Sequence, residues 1–97
     1  MATLDEKLAE LNKRYADALG GRVEELEGFL SEYESTGSDS SLEKLYKNAH
    51  AVAGSARTFG LPEVTDRAKE LELAARDGAD TKILQKKLSA LKLCISS

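Results

Sequence analysis

Apolar residues recur along the chain at intervals of three and four, the spacing of one face of an α-helix. In the first stretch, about Thr3 to Leu19, the stripe is Leu4, Leu8, Leu11, Tyr15 and Ala18 or Leu19. Thr3 with Glu6 three residues on has the form of a capping box. The pair Gly20-Gly21 then weakens the helix and predicts a break or bend. A second stripe, Val23, Leu26, Leu30 and Tyr33 with Phe29 beside it, predicts a helix over about 22–33, and Ser35-Thr36-Gly37-Ser38-Asp39 reads as a loop. The third helix is expected to open on a capping box at Ser40-Ser41-Leu42-Glu43. It carries Leu42, Leu45, Ala49, Val52, Ala53 and Ala56 on one face, with Tyr46 and His50 at its edge, and stops at Phe59-Gly60. Pro62 suits the first turn of a fourth helix with the stripe Val64, Ala68, Leu71 and Ala75, ended by Gly78. Asp80 caps a fifth, with Ile83, Leu84, Leu88, Leu91 and Ile95 on its apolar side.

Five helical segments joined by short connections predict an all-α fold. The last four are expected to form an up-and-down antiparallel four-helix bundle, with an additional N-terminal helix. That first segment must also bury its leucines, either across one end of the bundle or as an extension of the second helix. At 97 residues the chain is read as one domain, 1–97. With 5% aromatic residues and no tryptophan, leucine and alanine must fill the core.

Charge narrows the functional classes. The 17 acidic and 14 basic residues are interspersed and leave a net charge of −3, without the basic stripe that phosphate backbones require, so nucleic acid is not expected as a partner. No stretch approaches the roughly 20 apolar residues of a membrane span. The opening residues are charged and periodic, unlike a signal peptide, and the single cysteine cannot form an internal disulfide, so the cytoplasm is the expected compartment.

The chemistry concentrates at the chain's one histidine, His50. Gly54, one helical turn on, is a residue that costs a helix about 1 kcal/mol relative to alanine. The ring therefore faces a stretch stripped of side chain, where a partner backbone or a phosphoryl group has room to approach. Lys47 and Arg57, at i−3 and i+7, flank the same face. A neutral imidazole is nucleophilic and can take a phosphoryl group on one ring nitrogen, with the added charge offset by those two cations. Metal, acid and geometry can come from the partner. The other nucleophiles are weaker candidates. Ser55 and Thr58 have no base to activate them, and one histidine with one cysteine does not make a closed metal shell. Cys94 reads as a half-buried filler.

The run His50-Ala51-Val52-Ala53-Gly54-Ser55-Ala56, followed by Thr58-Phe59-Gly60-Leu61, resembles the signature of histidine-containing phosphotransfer (HPt) domains. Tyr15-Ala16-Asp17-Ala18-Leu19 and Val23-Glu24-Glu25-Leu26 upstream, with the leucine-rich helix downstream, extend the likeness over nearly the whole chain. The resemblance implies a four-helix bundle with a phosphorylatable histidine on its flank. It also implies a role as a phosphocarrier between a histidine kinase or receiver domain and another receiver, not an enzyme in its own right and without a cofactor. His50 matches the phosphorylated histidine and Gly54 the glycine that leaves room for the receiver. Ala53 departs from the pattern, standing where the family frequently has lysine, and Arg57 or Lys47 is expected to supply that charge. The docking face would centre on His50, with Ala51, Ala53 and Gly54 permitting close approach and Lys47 and Arg57 steering an acidic receiver site. A monomer is expected. The alternative is an interaction module that docks a receiver or kinase without carrying phosphate.

Overall fold

The computed structural model describes residues 3–96, apart from the side chains at 12 and 96. Four helices make up this stretch: α1 (Leu4–Thr36), α2 (Asp39–Thr58), α3 (Pro62–Arg76) and α4 (Thr81–Ser96). α1 and α3 each adjoin α2 and α4, so the four form a closed ring of neighbours, the all-α bundle that the periodicity predicts.

Local chemistry explains most of the helix ends. Thr3 caps α1, its hydroxyl accepting from the Glu6 amide while the Glu6 carboxylate reaches back to the Thr3 amide. α1 stops at Gly37, whose φ of 64° is the left-handed conformation that glycine adopts without strain. Pro62 opens α3, and Asp80 accepts the Lys82 amide at the head of α4. The start of α2 differs from expectation. Its cap is Ser38, accepting from the Ser40 amide, and Ser41 is buried within the helix. The turn at Gly37 brings Ser38 directly under the first amides, so the helix begins before the Ser40–Glu43 pattern is reached, and only two residues separate α1 from α2.

The break expected at Gly20-Gly21 is absent, and the first two predicted segments form one helix of 33 residues. Of the two placements open to the N-terminal segment, extension is the one adopted. The packing explains it. Leu19 and Val23, one turn apart across the glycine pair, are both buried in the same core, and an unbroken helix keeps them on one face. That burial outweighs the roughly 1 kcal/mol each glycine costs. The expectation that the first leucine stripe is buried is overturned: Leu4 is 72% exposed and Leu8 and Leu11 48% each. A helix of this length runs about 50 Å, which matches the longest extent of the molecule, 52 Å. α2, α3 and α4 are less than two thirds as long, so no helix accompanies the start of α1. The end of the shared packing is marked by Tyr15, whose ring stacks on Phe59 with centroids 4.1 Å apart.

The core is leucine and alanine, with Leu26, Leu45, Leu71, Leu84 and Leu91 wholly enclosed. Leu71 lies on α3, the helix that adjoins both α2 and α4. Leu71→Ala is expected to lower the free energy of unfolding by about 2–5 kcal/mol, read from urea denaturation followed by circular dichroism.

Candidate functional site

His50 lies midway along α2, just outside the buried stripe of Leu45, Ala49, Val52, Ala53 and Ala56. Its side chain is 72% exposed. The ring is nonetheless held. Nδ1 lies 2.6 Å from Oε1 of Glu72 on α3, and the Glu72 side chain is only 12% exposed. An ionised carboxylate only accepts hydrogen bonds, and opposite one Nδ1 is the donor. The neutral ring then has its lone pair on Nε2, the nitrogen away from Glu72.

Glu72 was not among the residues singled out from the sequence. It sits one turn beyond Ala68 and one residue past Leu71, inside the arc that α3 turns to the core. An acidic residue in a buried arc needs a partner, and that was the available signal. Pairing it with His50 requires the register between α2 and α3, which sequence periodicity does not contain.

A crevice of about 120 Å³ opens beside the ring, lined by His50, Ala53, Gly54 and Arg57 from α2 and by Thr65, Lys69 and Glu72 from α3. Gly54 is exposed, and a methyl group built on it would have no neighbouring atom within 4 Å. Nothing inside this chain therefore calls for glycine at that position. Ala51 is exposed on the same helix, whereas Ala53 is buried in the core and shows only its edge to the crevice. Ala53, on the apolar stripe where the periodicity puts it, thus forms part of the crevice floor.

The two predicted cations separate. Arg57 lines the crevice, and no ion-pair partner for it is found among the described residues. Lys47 instead pairs with Glu43 at 3.1 Å, one turn back on α2, and does not line the crevice. Cys94 lies on α4 in contact with Glu63 and Arg67, outside the lining of this crevice. Burial, with the charge of Glu63 adding to it, holds its thiol above the ordinary thiol range. Among the described residues, no three His, Cys, Asp or Glu side chains are grouped to hold a metal ion. No described helix is long and apolar enough to cross a membrane.

The bundle thus presents a tethered, solvent-facing imidazole on the flank of α2. The Hpt domain profile matches residues 2–97, essentially the whole sequence, and the chain belongs to the Hpt domain family. Domains of this family are phosphotransfer modules of two-component signalling that act as carriers and interact with receiver domains and kinases. Neither the comparison with curated proteins nor the comparison with solved structures returned a match.

Proposed function

We propose that His50 is the phosphoryl acceptor of this domain and that residues 1–97 act as one phosphocarrier, taking the group from a phosphorylated receiver or a kinase and yielding it to a second receiver. The observation that carries this reading is the 2.6 Å approach of Nδ1 to Oε1 of Glu72 on an exposed ring, and opposite an ionised carboxylate Nδ1 is the donor and Nε2 the free nucleophile. With a phosphorylated receiver as donor, the Nε2 lone pair attacks phosphorus, the P–O bond to the donor carboxylate breaks, and its electron pair departs with that carboxylate. The positive charge that develops on the ring is offset by Glu72 through the proton they share. The reverse step returns the electron pair to Nε2 as the next receiver's carboxylate attacks. Nothing in this sequence requires a base, because the attacking nitrogen carries no proton.

The test is incubation of the purified chain with a receiver charged by acetyl phosphate. An acid-labile, base-stable label on the chain is the expected result. A receiver that binds without labelling would establish the rival reading, a docking module that carries no phosphate, for which the replacement of the usual lysine by Ala53 is the supporting feature.

The unfilled space at Gly54 supports a docking face around His50. The helical glycines 20, 21 and 28 have the same open space, and what sets Gly54 apart is its place one turn from His50 in the lining of the crevice, where a partner would approach. Gly54→Leu is expected to move two measurements in opposite directions. Thermal stability rises, because leucine gains up to about 1 kcal/mol of helix propensity and its Cβ enters open space. Receiver affinity falls by about tenfold or more, the usual consequence of added bulk in a close interface. Calorimetric titration with the receiver and a thermal melt read both, and an unchanged affinity removes the clearance argument.

A further inference from the structure

α2 and α3 run antiparallel and are pinned where His50 meets Glu72. From that pin, each step toward the end of α2 is matched by an equal step back along α3, since both helices rise about 1.5 Å per residue. Three residues on from His50 is Ala53, and three back from Glu72 is Lys69. Seven on is Arg57, and seven back is Thr65. Lys69 therefore stands level with Ala53 across the crevice, and all four residues line it. Ala53, a methyl group in the floor, leaves that space open to a side chain from the opposite wall. Thr65, Lys69 and Glu72 share one face of α3, with Lys69 about 5–6 Å from Glu72 between Cβ atoms. Among the described residues Lys69 is in no ion pair, and the one acid of the crevice, Glu72, is engaged by the ring.

We infer that Lys69 supplies, from α3, a positive charge over the methyl of Ala53, so that a phosphoryl group on Nε2 is held between Lys69 and Arg57. This rests on His50 being the acceptor. The charge is delivered from the neighbouring helix because the register sets a lysine at the same height, and a long flexible ammonium stem reaches an exposed anion without being buried.

The test loads the chain with potassium phosphoramidate. The Nε2 lone pair forms the new N–P bond while the reagent's own P–N bond breaks and its nitrogen leaves as ammonia with the electron pair. The phosphorylated chain is then titrated by ³¹P NMR. A nearby cation favours the doubly charged phosphoryl group, so its titration midpoint should move upward when the cation is removed. Lys69→Ala is expected to raise the midpoint by about half a pH unit, Lys69→Glu to raise it further, and Lys69→Arg to restore the wild-type value. The differences should narrow at high salt. Midpoints that do not follow the charge at position 69, with alanine and glutamate alike or all variants matching wild type, overturn the inference while leaving His50 as the acceptor. A wild-type chain that takes no label at His50 overturns the reading on which the inference rests.

Discussion

His50→Gln is expected to remove every acid-labile phosphoryl label from the chain while leaving its fold and its receiver binding in place. The expectation is this sharp because the chain has one imidazole. Among the described residues the hydroxyl that shares the crevice, Thr65, is turned to the Leu61 carbonyl, to which it donates. Thr58 donates its hydroxyl to the Gly54 carbonyl, and Cys94 sits on another helix with its thiol held in the protonated form by burial and Glu63. Glutamine is a mild replacement at a position this exposed. Its amide NH₂ can donate to the Glu72 carboxylate in place of Nδ1, so the buried acid keeps a partner and the cost to stability stays within about 1 kcal/mol. Circular dichroism reports the retained helix, calorimetric titration the retained docking, and the labelling assay the lost chemistry. Label persisting on this variant would mean that another residue accepts the group.

Glu72→Ala is the second large effect, and it separates orientation from docking. Without the carboxylate, the ring proton is no longer held on Nδ1, and the population with a free Nε2 lone pair falls. The ring also gains rotational freedom on an exposed surface. Orienting partners of histidine ligands are typically worth 10- to 100-fold, and phosphoryl transfer to His50 is expected to slow by about that range, with receiver affinity little changed. Glu72→Gln, which keeps an accepting oxygen but loses the charge, is expected to fall between. Nitrogen-15 NMR of the imidazole reads the cause directly. The wild-type ring should show Nδ1 protonated, and the alanine variant a mixture of tautomers. Transfer at the wild-type rate in Glu72→Ala, with the tautomer shifted, would leave the carboxylate with a structural role alone.

Much of this arrangement was legible in the sequence because it is local. The helix stripes from Leu19 onward, apart from the exposed Ile83, the Thr3 and Asp80 caps, the Pro62 start and the Gly60 and Gly78 stops depend on residues a few positions apart, and each is found where the pattern places it. The failures share a cause. The glycine pair reads as a break until Leu19 and Val23 are seen to need one continuous face, and the Ser40–Glu43 pattern reads as a cap until the turn at Gly37 puts Ser38 there first. The leucines at 4, 8 and 11 promise burial that a bundle of shorter helices does not provide. At the site, His50, Gly54 and Arg57 follow from spacing along one helix. Glu72 and Lys69 come from the facing helix, and only the register between the two brings them in. Lys47, by contrast, satisfies the spacing along α2 yet is drawn off by Glu43, a competitor one turn away on the same helix.

The hydrogen bond that spans α2 and α3 has a consequence for what counts as the smallest reactive unit. A peptide corresponding to α2 alone would carry the imidazole but could not choose which of its nitrogens is bare, because the carboxylate that makes the choice belongs to another helix. With His50 as the acceptor, reactivity would belong to a helical hairpin, and anything that slides one helix of it by a turn would disarm the ring without touching it.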